Sequence, residues 1–100
     1  MQHATVGRIV HAIVNPADNN GSDVAPAVIT RVWGEPYEAD QYGGNVQSVN
    51  VRILLDGHDT DWRTSILLCA QRPSDDVLAA ANPYNPKGHN TVAFWPPREH

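Results

Sequence analysis

The chain carries a single cysteine, Cys69, in 100 residues, so it can close no internal disulfide and build no multi-cysteine metal centre. A lone cysteine reads as core filler, because free cysteine is among the most buried residue types. Charge is also sparse. Only 18% of residues are charged, and 7 Lys plus Arg face 11 Asp plus Glu for a net charge of -4, so no general field draws the chain to duplex nucleic acid or to an anionic membrane. No apolar run approaches the ~20 residues needed to cross a bilayer, and Met1 to Arg8 shows no basic start followed by an apolar core of a secretory signal. These absences predict a soluble protein of a reducing compartment, the cytoplasm.

Signatures of catalysis are missing as well. Ser65 and Thr64 sit in no GxSxG elbow, Cys69 has no nucleophile signature, and there is no P-loop or GxGxxG. His3, His11, His58, His89 and His100 show no HExxH or HxH spacing. The segment Asp56-Gly57-His58-Asp59-Thr60-Asp61 resembles the start of a calcium loop, but its sixth position is Asp61 rather than Gly and its twelfth is Leu67 rather than Glu. The expectation is a protein that is not an enzyme and holds no metal or cofactor.

What is present is β-prone. The 41% hydrophobic content supports one folded domain over residues 1–100. Thr5 to Val14 is dense in Val and Ile and stops at Asn15-Pro16. Ala27 to Trp33 alternates, with Val28, Thr30 and Val32 assigned to the core face, and Gly34-Glu35-Pro36 ends it. Tyr37 and Tyr42 then fall in a Gly-containing loop. Val46 to Leu55 keeps period two through Val49, Val51, Ile53 and Leu55, and turns at Asp56-Gly57 into a hairpin partner at Trp62 to Leu67. Ser74 caps a short helix over 74–81, acidic at its start, and Thr91 to Trp95 forms a last strand. The fold class is therefore mainly β: a small five-stranded curled sheet or barrel, SH3-like first and OB-like second, with one short helix before the last strand. Ile9, Val28, Val32, Val49, Val51, Ile53 and Ile66 are the expected core.

Aromatic and arginine residues gather at strand ends. Arg31 and Trp33 close the second strand, Trp62 and Arg63 open the fourth, and Trp95 and Arg98 lie near the terminus. A small barrel cannot bury three tryptophans completely, so at least one indole should face solvent. An indole stacks on a base and a guanidinium fork pairs with a phosphate. These six residues and His11 are the candidate ligand-binding set. The same residues could instead build a subunit or protein interface, or Trp62 and Trp95 could cap the two ends of the barrel.

The segments VGRIVH (6–11), AVITRVW (27–33), LLDGHDTDWRTSI (54–66) and FWPPRE (94–99) resemble a set of small phage and prophage proteins with a VGR-V-H start and a W-P-x-R ending. Ala12, where those proteins often have an aromatic, and Phe94, where they have His, depart from the pattern. The resemblance implies a phage accessory protein in the cytoplasm of the infected bacterium. Its implied function is that of an anti-defence sponge, a homo-oligomer that sequesters a cyclic nucleotide immune signal without catalysis. The alternative it leaves open is a structural, assembly or host-protein-blocking module that uses the same patch for protein contact.

Overall fold

A computed structural model describes residues 3–57 and 59–97. Five strands, β1 (Ile9–Ile13), β2 (Val24–Ala39), β3 (Gly44–Leu54), β4 (Thr60–Cys69) and β5 (Val92–Phe94), close into a barrel in the order β1-β2-β3-β4-β5. The first four form an antiparallel meander. The last strand enters between β4, to which it is parallel, and β1, to which it is antiparallel. The order in space thus follows the order in sequence, without the Greek-key permutation of an OB barrel. A parallel pair needs a crossover, and the segment carrying the helix α1 (Asp75–Ala81) supplies it. Ser74 accepts the Val77 N–H through its hydroxyl at 3.3 Å, capping the helix as its sequence position predicts.

Closure gives the sheet two buried sides. Val10, Ala12, Ala25, Ala27, Ile29, Val49, Val51, Ile53, Ile66 and Leu68 fill the interior, which Ala4 and Trp95 help to close. The alternate residues Ile13, Val46, Cys69, Val92 and Phe94 point outward, yet they are buried too, because Leu78 of α1 and the half-buried Tyr42 cover them. A helix laid on one flank thus converts part of the barrel's outer wall into a second small core. Gly88, in the segment leading to β5, has φ +70, and an added Cβ would meet Leu78 Cδ2 at 3.0 Å and Val92 Cγ2 at 3.3 Å. Gly88→Ala is expected to cost about 1–3 kcal/mol through left-handed strain and overpacking, read as a lower midpoint in urea unfolding.

The loops are tied by buried amides. Asn19, only 3% exposed, accepts the Asp56 N–H at 2.6 Å and donates to the carbonyls of Ser22 and Val24. This latches the β1–β2 loop onto the turn after β3. At the other barrel end, Gln47 accepts the Ala4 N–H and donates to the Gly34 carbonyl, pinning the N-terminal segment there.

Several expected boundaries and faces are corrected. β2 does not stop at Gly34-Glu35-Pro36. It continues to Ala39 through a register shift between Trp33 and Tyr37, so Tyr37 lies on a strand and Tyr42 in a 3-10 turn. Ile9 is 56% exposed rather than core. In β2 the interior face belongs to Ala25, Ala27 and Ile29, leaving Val28 half-buried outside. A bulge between Ile29 and Arg31 then reverses the alternation, and Val32 packs against the interior from the rim. Val49, Val51, Ile53 and Ile66 are buried as expected.

Candidate functional site

The centre of the candidate site is a residue of the most regular strand. Asn50 interrupts the apolar run of β3, and both neighbouring strands break register around it. On β2 the pairing steps from Ile29↔Val51 to Arg31↔Asn50, inserting Thr30. On β4 it steps from Val49↔Ile66 to Val51↔Arg63, so Thr64 and Ser65 together oppose Asn50. The extra residue is accommodated by Ser65 at φ 55, a left-handed conformation that a non-glycine residue rarely takes. Asn50 Oδ1 accepts from Ser65 N at 2.8 Å, Thr64 Oγ1 at 2.9 Å and Trp33 Nε1 at 2.8 Å. One amide oxygen, 6% exposed as a residue, thereby holds a bulge and an indole together.

Held by its N–H, the Trp33 ring stays 42% exposed on the outer face. The Arg31 guanidinium carbon lies 3.9 Å from its centroid, a close cation–π stack. Trp62, 48% exposed, sits on the same outer wall. Cross-strand partners share a face, and the outer rung Ile9↔Val28↔Arg52↔Trp62 runs across four strands. Trp33 opposes Ser48 from β2 and Trp62 opposes Arg52 from β4, so their backbone positions flank β3 on opposite sides and are offset by about 13 Å along it. Arg31, Trp33 and Trp62 therefore occupy one wall, with Asn50 and Arg52 between the indoles.

The other candidates are dispersed. Arg63 pairs with Val51, whose side chain is interior, and so turns to the opposite face from Trp62. It meets Asp61 at 2.7 Å in a cleft of about 430 Å³ at the barrel mouth, lined also by Asp18, Leu55 and Asn90. Trp95 is 7% exposed and caps the far end of the interior. Its Nε1 has no hydrogen-bond partner among the described residues. The Arg8 guanidinium lies 5.4 Å over its ring. His11, on the outer face of β1, is half-buried with its ring edge-on to Phe94 at 5.5 Å. Arg98 lies outside the described residues.

Three site residues were not singled out by sequence: Asn50, Arg52 and Arg8. The signal for Asn50 was an amide between Val49 and Val51, where period two alone predicts a solvated side chain. Only the covering bulge and indole make it an anchor.

A second cleft, of about 510 Å³, lies between α1 and the loops at Pro16 and Pro86. Arg72 closes part of it by bonding Asp23 at 2.6 Å. That bond holds the Asp23 carboxyl below its usual range. Among the described residues, no group of three or more His, Cys, Asp or Glu is placed to hold a metal ion, and no helix is long and apolar enough to cross a membrane.

Burial pushes the Cys69 thiol from its ordinary 9.0 up to about 11. The protonated, enclosed thiol should resist a thiol reagent at pH 8 in the native protein and react after denaturation. Rapid native labelling would contradict the burial. The linked stability is complete below the unfolded value and is lost as pH rises toward 11, because the unfolded chain ionises first.

Comparison with protein-family models, curated proteins and solved structures finds no match. The functional reading therefore rests on the geometry of this wall.

Proposed function

We propose that this protein is a non-catalytic binding module that takes a phosphorylated, base-containing ligand on the outer β2–β3–β4 wall, in the manner of a sponge that sequesters a cyclic nucleotide signal. The observation that carries this reading is the exposed Arg31–Trp33 stack locked from below by Asn50. An indole whose N–H is already fixed gives up little freedom when a base covers it, so stacking is less opposed by ordering entropy. Arg31 and Arg52 supply guanidinium edges for phosphate, and neither has a carboxylate within 4 Å among the described residues. In a chain of net charge -4, two unneutralised arginines on an aromatic wall favour a small anion with aromatic rings. The phage setting, the host cytoplasm and the homo-oligomeric state belong to this proposal through the sequence resemblance.

The test is a thermal and calorimetric screen with cyclic di- and trinucleotides. A bound ligand at 100 times its Kd should add about 2.7 kcal/mol and raise Tm by roughly 10–20 °C for a domain of this size. Trp33→Ala should weaken binding about 5- to 150-fold, the ~1–3 kcal/mol of one stacked base, with the ligand recovered unaltered. A chemically changed nucleotide would replace the sponge with an enzyme. No shift with any nucleotide would overturn the reading.

A second reading draws on the apolar part of the same wall. Ile9, Trp62 and Leu54 are exposed there, with Val28 half-buried beside them, and such a surface suits contact with a protein or a second copy of the chain. Light scattering decides its self-association form: a mass of 11.0 kDa at high concentration would remove it.

A further inference from the structure

Each exposed indole of the outer wall has an arginine beside it. Arg31 lies over Trp33, and Arg52 is the cross-strand partner of Trp62. Arg52 Nη1 donates to Thr60 Oγ1 at 3.3 Å, which keeps the guanidinium against β4 near Trp62. Neither arginine meets a carboxylate within 4 Å among the described residues. The strand segments that carry the two pairs, 28–33, 48–52 and 62–67, contain no Asp or Glu, although acidic residues outnumber basic ones 11 to 7 in the chain.

The spacing of the two pairs follows from the registers. Trp33 is level with Ser48 of β3, Arg31 with Asn50, and Trp62 with Arg52. With strands about 4.8 Å apart and a rise of about 3.3 Å per residue, the backbones of the two tryptophans lie about 16 Å apart and those of the two arginines about 8 Å apart. Asn50 stands midway between the indoles. Arg31 and Arg52 fall on one side of the line joining them, and the bulge residues Thr64 and Ser65 fall on the other.

Closure of the barrel puts both indoles within reach from one side. A rung followed from Ile9 through β2, β3 and β4 and on through β5 returns to β1 on the C-terminal side of Ile9. Strands tilted in this sense carry the diagonal from Trp33 to Trp62 along the barrel axis and not around it. The wall is thus a strip with two stacking platforms in line and two guanidinium groups along one border.

A compact cyclic nucleotide that stacks a base on Trp33 and reaches Arg31 leaves Trp62 and Arg52 uncovered. Neighbouring stacked bases, about 3.4 Å apart along a strand, cannot rest on both indoles. A duplex keeps its base faces inside the stack. A single strand with its bases splayed over separate rings covers both platforms and lays its phosphates along the arginine border.

From this juxtaposition we propose that the strip binds a linear single-stranded nucleic acid of at least about three nucleotides, with one base on Trp33, a later base on Trp62 and the intervening phosphates against Arg31 and Arg52. The inference rests on the reading of the wall as a site for bases and phosphates. It goes beyond that reading by naming a chain as ligand and Trp62 with Arg52 as the second half of the site.

The experiment is calorimetric and tryptophan-fluorescence titration of the full chain with thymidine oligonucleotides from mono- to octanucleotide, a cyclic dinucleotide, a duplex octamer and inorganic polyphosphate. Affinity should rise about tenfold or more from dinucleotide to tetranucleotide and change little beyond it. Trp33→Ala and Trp62→Ala should each weaken the tetranucleotide about 5- to 150-fold, whereas the cyclic dinucleotide should respond to Trp33→Ala alone. The slope of log K against log salt should be about −1.4 for two phosphates and about −0.7 in Arg52→Ala. Trp62 is 48% exposed, so Trp62→Ala should leave the Tm of the free protein nearly unchanged; Trp62→Phe, which keeps a ring, should recover part of the affinity and decides the matter if it does not. If chain length brings no gain, or if the Trp62 and Arg52 variants bind the oligonucleotide as the parent does while Trp33→Ala loses it, the single-strand inference falls and the nucleotide reading stands. If polyphosphate or the duplex binds as tightly as the single strand, charge alone explains the site and the inference also falls. If neither oligonucleotide nor cyclic nucleotide binds, the broader reading has failed.

Discussion

Leu68→Ala is expected to destabilise the protein by about 3–5 kcal/mol, the upper part of the range for emptying a leucine-sized volume in a closed core. Leu68 is 0% exposed and lies in the barrel interior. Its surroundings cannot collapse easily, because a closed barrel fixes the spacing of its walls through continuous hydrogen bonding. Domains of this size are typically stable by only about 5–15 kcal/mol, so the variant should unfold at much lower urea and be partly unfolded at 37 °C. Ile9→Ala is the control. At 56% exposure it should cost under about 1 kcal/mol, and a large loss there would mean that the faces of β1 have been assigned the wrong way round.

Asn50→Ala should cost about 2–3 kcal/mol and loosen the binding wall at the same time. The substitution removes one acceptor and leaves three donors without it: Trp33 Nε1, Thr64 Oγ1 and Ser65 N. The exposed Thr64 hydroxyl can turn to water, so its share is small. All three bonds are part-buried, but Thr64 Oγ1 keeps Ser65 Oγ as a partner at 3.2 Å, whereas the other two donors lose their acceptor, and an unpaired buried donor costs about 1–3 kcal/mol. Freed from its anchor, the Trp33 indole should show faster exchange of its N–H proton and a red-shifted emission. Asn50→Asp keeps the acceptor and should retain much of the stability at neutral pH, losing it as acid protonates the new carboxyl. Equal stability of Asn50→Ala and the parent would show that the indole and the bulge are held by other contacts.

These two variants also separate what could be read from residues alone from what could not. The period-two run of β3, the turn at Asp56-Gly57, the Ser74 cap and the dense Val/Ile content of β1 are local signals, set by side-chain alternation, capping chemistry and backbone preference. They act over a few residues, so the chain's one-dimensional pattern was enough to place five strands, one short helix and their order. The prediction that some tryptophan must face water was equally local in origin, since it followed from the volume of three indoles against a small interior.

Which side of each strand faces inward was a different matter. Alternation tells which residues share a face, but in β2 both sets are apolar enough to be core, and the bulge at Thr30 exchanges them midway. A bulge depends on what the neighbouring strand presents, here the Asn50 amide with Ser65 on its far side. That relation joins residues 15 to 20 positions apart and leaves no periodic trace. The second core under α1 arises likewise from a helix folding back on an outer wall. The grouping of Arg31 with Trp33, the turning of Arg63 to the barrel mouth and the pairing of Arg8 with Trp95 all follow from register and closure. Sequence by itself determined the elements and the kinds of side chain available. Tertiary structure decided which of them meet, because one extra residue in a strand reverses every side chain beyond it.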